Sequence, residues 1–310
     1  MEKILDLRGK WKFSIGDNWE WSKEKFDDGD WESIYVPSPW EDQGFYGYDG
    51  YAWYRKSFVI SSENANQELY LFLGYVDDVD EVYVNGNLVG STGSFPPNFS
   101  TAYNAFRKYY LSKDYLHFDK ANVISVRVYD AQLAGGIVNG DVGIYAEANP
   151  IPFEINLQGS WKFKTGDNME YKDPLYNDNG WRTLTVPKAW EDQGYNDYDG
   201  FAWYRKKFFV SGNYSNEKVV IMMGKIDDFD EVYLNGTFIG NKKISEYSDD
   251  NNSRYNELRI YYIDGKLLQQ NKYNIIAVRV YDKGGFGGIY EGPVGILKLK
   301  ESLKYWKSKK

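Results

Sequence analysis

The sequence predicts an all-β protein made of two tandem jelly-roll β-sandwiches, and three observations carry that expectation. Trp11, Pro37, Trp40, Asp49, Trp53, Arg55, Gly74, Asp80, Asn85 and Gly90 recur 150 positions later, as Trp161, Pro187, Trp190, Asp199, Trp203, Arg205, Gly224, Asp230, Asn235 and Gly240. Each copy is built of short runs of Val, Ile, Leu and Tyr bounded by Gly, Asn and Asp, which is the pattern of strands. No long amphipathic helical stretch competes with them, and many short strands without crossover helices point to antiparallel sandwiches.

A repeat of this length exceeds solenoid periods of roughly 20–50 residues and reads as a duplicated domain. The copies are 1–149 and 150–310, joined near "EANPIPFE" (147–154), where two prolines interrupt the pattern. By "VISVRVYD" (123–130) and "IIAVRVYD" (275–282) the offset is 152, so two residues were inserted in the stretch between.

Along each copy, "SKEKFDDGDW" (22–31) and "KDPLYNDNGW" (172–181) each predict a helical turn ended by Asp-Gly or Asn-Gly. "ELYLFLGYV", "DEVYVNGNLVG" and "NVISVRVYD" predict strands, and Asn85-Gly86 predicts a hairpin turn with positive φ. The late loops "DAQLAGGIVNGDVG" (130–143) and "DKGGFGGIYEGPVG" (282–295) have glycines where the backbone must bend closely around the sandwich end or a ligand. They lack Gly-Lys-Ser/Thr and a following helix start, so they are not phosphate loops. The stretches 93–108 and 241–259 differ most between copies, the first aromatic and the second charged, and are where separate ligand preferences would be encoded. The tail "LKYWKSKK" reads as a solvated end or the stub of a longer chain.

Composition narrows the function. With 42% hydrophobic and 26% charged residues the chain can bury two cores, and 18% aromatics favour strands and surfaces that stack on flat ligands. A net charge of -8 argues against nucleic acid as a partner, because the broad basic footprint is missing. The absence of cysteine excludes disulfides, thiol catalysis and cysteine-ligated zinc. No run of about 18 apolar residues occurs, so membrane insertion is not expected. "MEKILDLRGKWKF" carries no secretory h-region. The compartment stays open, and an extracellular or periplasmic place fits if a signal has been removed.

The series "GKWKFSIGDN", "VPSPWEDQG", "YDGYAWYRKSF", "DDVDEVYVNG" and "VISVRVYD" resembles the galactose-binding-like jelly roll that serves as the sugar-binding domain of family 2 glycoside hydrolases, such as β-galactosidases and β-glucuronidases. It is also similar to the accessory domain of sialate O-acetylesterases, where "DDVDEVYVNG" and "GGFGGIYEGPVGI" have near counterparts. The resemblance covers both copies and implies carbohydrate recognition. It does not bring the catalytic parts. The hydrolases place their carboxylate pair in a separate barrel for which two sandwiches leave no room. The esterase nucleophile block would read Gly-Asp-Ser, whereas this chain has "GDN" at 16–18 and 166–168, and its one histidine is His117.

Two readings of "WEDQGFYGYDGYAWYRKSF" (40–58) and its return at 190–208 stand side by side. In the first, Trp40 and Trp53 plug the sandwich while Arg55 pairs with Asp78 or Asp80, since a buried guanidinium needs a carboxylate. In the second, the loop is a sugar rim on which Trp40 or Tyr48 stacks on a pyranose and Glu41, Asp42, Gln43 or Asp49 accepts hydroxyl hydrogen bonds. The counterparts are Trp190, Glu191, Asp192, Gln193, Tyr198 and Asp199. The acidic run Asp77, Asp78, Asp80, Glu81 returns as Asp227, Asp228, Asp230, Glu231. It reads as a solvated edge that pairs with Arg127 or Arg279, giving with Arg205 an ion-pair network in each copy. Calcium is the alternative, although the spacing is not that of an EF-hand loop. His117 is expected to be a partly exposed residue without a metal partner, and no cofactor is expected.

The leading expectation is a non-catalytic carbohydrate-binding protein whose two modules raise avidity for a polymer, acting alone, by self-association or beside a larger enzyme. The alternatives are a glycosidase or sugar O-acetylesterase component, and a structural protein that keeps the fold without sugar binding.

Overall fold

The computed structural model describes residues 1–148, 150–242 and 254–308. Two compact units emerge, one of Met1–Pro150 with Asp192–Gly194 and the other of Ile151–Glu191 and Tyr195–Lys310. Both are all-β, as the strand pattern predicts.

The first unit runs β1 (Glu2–Asp6), β2 (Gly9–Ile15), β3 (Glu32–Val36), β4 (Gly50–Val59), β5 (Leu69–Asp77), β6 (Val79–Val84), β7 (Asn87–Thr92), β8 (Phe106–Leu111), β9 (Ala121–Asp130) and β10 (Gly136–Ala146). These form a six-stranded sheet of order β3-β2-β4-β9-β6-β7 and a four-stranded sheet of order β1-β10-β5-β8, all antiparallel. The second unit repeats them as β11 (Ile155–Asn156), β12 (Gly159–Thr165), β13 (Arg182–Val186), β14 (Gly200–Val210), β15 (Lys218–Asp227), β16 (Phe229–Leu234), β17 (Thr237–Lys242), β18 (Leu258–Asp264), β19 (Lys272–Asp282) and β20 (Gly288–Lys298). Its sheets have the matching orders β13-β12-β14-β19-β16-β17 and β11-β20-β15-β18.

Period-two alternation explains the packing. Ala52, Tyr54 and Phe58 of β4 face the core with Ile124, Val126 and Val128 of β9, and Trp11, Phe13, Leu71 and Leu73 close it. Burying each of these large side chains contributes roughly 1.5–3 kcal/mol. The alternate residues Trp53 and Arg55 point to the opposite face yet are also buried. The β2–β3 segment roofs that face, with Trp21 lying edge-on to Trp53 and to Trp31 at centroid distances of 6.3 and 5.0 Å. In the second unit Tyr171, Trp181, Trp203 and Tyr233 form the same outer cluster.

The Asn85-Gly86 turn adopts φ of 50° and 79°, and Asn235-Gly236 repeats it at 49° and 81°, the all-positive geometry of a tight hairpin. One local expectation is corrected. The helical turns lie at Trp19–Ser22 and Met169–Lys172, at the front edge of the stretches that predict them. The reason is capping: Asn18 and Asn168 accept from the backbone N–H groups of Glu20 and Glu170 at 3.0 and 2.9 Å. The third residue of each "GDN" is therefore a cap. The tail is helical, α1 spanning Leu299–Ser308. No described helix is long and apolar enough to cross a membrane.

Candidate functional site

The buried ion pairs that sequence reasoning sought exist, with different partners. Arg55 pairs with Asp28 at 2.8 Å, not with Asp78 or Asp80, and it also donates to the carbonyls of Trp21 and Lys23 and to Ser125 Oγ. Its place on the outer face of β4 explains the difference, because Asp80 of β6 points inward. Asp80 is instead held by Arg107 at 2.7 Å and by the Tyr109 hydroxyl at 2.5 Å, all of them buried. Arg205 pairs with Asp178, and Asp230 with Arg259 and Tyr261. Asp78 and Asp228 bind no guanidinium through their carboxylates among the described ion pairs; they accept from the backbone N–H of Ala131 and Lys283. Arg127 does meet Glu81, at 3.2 Å, and takes Asp17 as a second partner at 2.5 Å; Arg279 does the same with Glu231 and Asp167. Asp17, Asp28 and Arg107 escaped sequence reasoning, yet their recurrence as Asp167, Asp178 and Arg259 was the signal available.

The 40–49 loop divides into structural and exposed residues. Trp40 and Trp190 are fully buried, so neither presents a ring to a sugar, which corrects the stacking role expected of them. Gly135 lies on Trp40 so closely that a Cβ there would sit 2.1 Å from the ring, and Gly287 on Trp190 at 2.2 Å. The late-loop glycines thus let the backbone cross an indole. Gln43 bridges Tyr35, accepting from its N–H at 2.5 Å and donating to its carbonyl at 2.9 Å, and Gln193 is buried. Tyr48 and Tyr198 donate to the carbonyls of Tyr51 and Phe201 at 2.7 and 2.6 Å. Asp42, Asp49 and Asp199 are exposed, Asp192 half-buried. His117 is half-exposed, with Nε2 3.5 Å from Glu24.

Two constellations remain. The first is a pocket of about 290 Å³ on the outer face of the second unit's large sheet, walled by Phe201, Phe229 and Tyr281 and edged by Glu231, Arg279 and Lys283. Cross-strand pairing of Phe201 and Phe229 with Tyr281 brings the rings together, the Phe201 and Tyr281 centroids lying 4.5 Å apart. At the equivalent place in the first unit, Phe95 fills the space. It lies against Arg127 at 4.2 Å and stacks on Tyr51 at 5.9 Å, while Phe99 meets Tyr129 at 5.4 Å. The divergent stretch 93–108 therefore supplies the plug. Most of the other divergent stretch, 243–253, lies outside the described residues.

The second constellation is acidic. Asp77, Asp78 and Asp130 place one carboxylate oxygen each within 4.8 Å of one another at the end of β5 and β9, and Asp227, Asp228 and Asp282 repeat the group. Burial, followed by the charges of Asp77 and Asp78, pushes Asp130 up to about 7; burial and Asp78 raise Asp77 to about 6. Burial and Asp228 raise Asp227 to about 8, and burial raises Glu191 to about 7. A carboxyl held above its unfolded value of about 3.9 binds more protons folded than unfolded, so its stabilisation is complete below that value and lost as pH rises through the folded pKa. In buffer free of divalent cations, Tm is expected to fall by several degrees between pH 5 and pH 8. Scanning fluorimetry checks this, and a Tm that is flat or rises over that range contradicts it.

No protein-family model matches the chain. A Formosa agariphila protein provisionally named β-glucuronidase is 33% identical over 168 residues, 49% of this chain and 15% of that protein. The β-galactosidase BoGH2A of Bacteroides ovatus is 26% identical over 189 residues, 56% of this chain and 21% of that protein. Among solved structures, a β-glucuronidase of Bacteroides uniformis aligns over 89% of this chain and 28% of its own, at 16% identity and a TM-score of 0.40. The chain is thus partly homologous to glycoside hydrolases of family 2 type, as its motifs suggest, and spans about a fifth or less of the length of these curated relatives.

Proposed function

We propose that the chain is a non-catalytic carbohydrate-binding protein whose principal sugar site is the aromatic pocket of the second unit. The observation that carries the reading is the chemistry of the pocket. Phe229 and Tyr281 offer apolar surface for the C–H face of a pyranose, while Arg279, Glu231 and Lys283 supply donors and acceptors for its hydroxyls. The names of the partial relatives, a β-glucuronidase and a β-galactosidase, favour a glycan ligand over other flat molecules. In the first unit Phe95 takes the place a sugar would occupy. On this reading the protein serves glycan degradation or sensing, beside a catalytic partner.

The test is an oligosaccharide panel read by binding to the intact chain. Tyr281→Ala is expected to weaken the best ligand at least about tenfold, as loss of a stacking aromatic does, while Tyr129→Ala in the first unit leaves affinity unchanged. Unaltered affinity in Tyr281→Ala, with circular dichroism showing the fold intact, would refute the assignment.

A further inference from the structure

We propose that the carboxylates of Asp77, Asp78 and Asp130 form a binding site for a divalent cation of the calcium class, and that Asp227, Asp228 and Asp282 form a second one. The spacing permits it. Calcium takes oxygen ligands at 2.3–2.6 Å, so two oxygens on one ion lie no more than about 5 Å apart, and each trio keeps its oxygens within 4.8 Å. The donors are all carboxylate oxygens, which select a hard cation over zinc or copper.

Spacing among acids is common without a ligand, and the buried oxygens supply the independent argument. Asp130 is fully buried, and its Oδ2 has no hydrogen-bond partner; Asp282 repeats both features. Glu41 Oε1 and Glu191 Oε1 are likewise buried without a partner beside the same loops. A bare buried carboxylate oxygen is costly unless a proton or a cation meets it.

The other oxygens of these groups are already fixed. Asp130 Oδ1 accepts from Gln132 N–H at 3.2 Å, Asp78 Oδ2 from Ala131 N–H at 3.0 Å, and Glu41 Oε2 from Gly135 N–H at 3.0 Å. The second unit matches, with Asp282 Oδ1 on Gly284 at 3.1 Å, Asp228 Oδ2 on Lys283 at 3.2 Å and Glu191 Oε2 on Gly287 at 2.9 Å. Loop amides thus orient Asp78, Asp130 and Glu41 and their counterparts; Asp78 Oδ1 also accepts from the Thr101 hydroxyl, while Oδ2 of Asp130 and of Asp282 keeps no hydrogen-bond partner. The nearby guanidinium, Arg107, is committed to Asp80 and to the carbonyls of Ala102, Ala105 and Asp78, so the trio stays uncompensated. The loops themselves have diverged, "DAQLAGG" against "DKGGFGG", while the acids have not. A bound cation would tie the β5–β6 junction to the loop after β9, and β15–β16 to the loop after β19.

The competing occupant is a proton, and the test separates the two. The intact chain, freed of metal with a chelator and held at pH 8, is titrated with CaCl2 by calorimetry. Two sites per chain are expected, with a Tm rise of about 5 °C or more at saturation and weaker binding at pH 5, where protons compete. Asp130→Asn and Asp282→Asn should each remove one site. Because a variant can misfold, Tb3+ luminescence of the wild-type chain gives a second reading: excitation of Trp40 and Trp190, which pack beside the two trios, should sensitise Tb3+ that Ca2+ then displaces. No heat, no Tm shift and no Tb3+ signal at pH 8 in millimolar calcium would overturn the proposal, leaving protons as the occupants. Two undiminished sites in folded Asp130→Asn and Asp282→Asn would overturn it as well.

Discussion

Asp80→Ala lowers the stability of the first unit by about 3–5 kcal/mol, because it strands Arg107 with no carboxylate in a site where both side chains are fully buried. The Tyr109 hydroxyl loses the Asp80 carboxylate in the same step and keeps Thr92 Oγ1 at 2.6 Å. The loss is large because a lone buried charge is costly, not because the pair itself is strongly stabilising. Asp80→Leu combined with Arg107→Met should therefore recover much of the loss, since replacing both partners with apolar groups is often near neutral. Urea denaturation of the single and double variants measures this, and a loss below about 1 kcal/mol for Asp80→Ala would show that the pair is hydrated.

Gly74→Ala is expected to cost a comparable amount for a different reason. Gly74 adopts φ of 64°, and a Cβ there would lie 2.0 Å from the carbonyl oxygen of Asn139 on the neighbouring strand. The left-handed conformation penalises alanine by roughly 1–2 kcal/mol, and the clash adds about 1–3 kcal/mol of overpacking. The blocking atom belongs to backbone, so β10 must move away from β5 at a bulge in their register. Gly224→Ala meets Glu291 at 2.1 Å and should behave alike. Calorimetric unfolding reads both, and a variant as stable as wild type would mean that the bulge relaxes freely.

These cases also show what the sequence made legible. Duplication and strand periodicity are local, repeated signals, and they yield the sandwiches and the Asn-Gly hairpins directly; Trp53 is buried as expected, but against Trp21 on the outer face and not as a plug between the sheets. Partner choice is not local. Arg55 and Asp80 both read as buried charges, but pairing them required knowing that β4 and β6 show opposite faces at those positions, which depends on register across the sheet. The aromatic pocket was hidden for the same reason: Phe201, Phe229 and Tyr281 are distant in sequence and meet only through β14–β19–β16 pairing. Trp40 misled as a sugar platform because an indole beside glycines and acids looks alike whether the glycines expose it or, as Gly135 does, pack onto it. The acidic run was visible, whereas Asp130 and Asp282, which complete each trio, stand about fifty residues away at the ends of later strands.

On the proposed function, one unit holds a glycan and no bond in that glycan is broken. Calorimetric titration of the intact chain with the best oligosaccharide of the panel, followed by chromatography of the recovered sugar, tests it most directly. One site per chain and an unchanged oligosaccharide are predicted. Two equivalent sites, or shortened or deacetylated sugar whose yield grows with protein concentration, would contradict it.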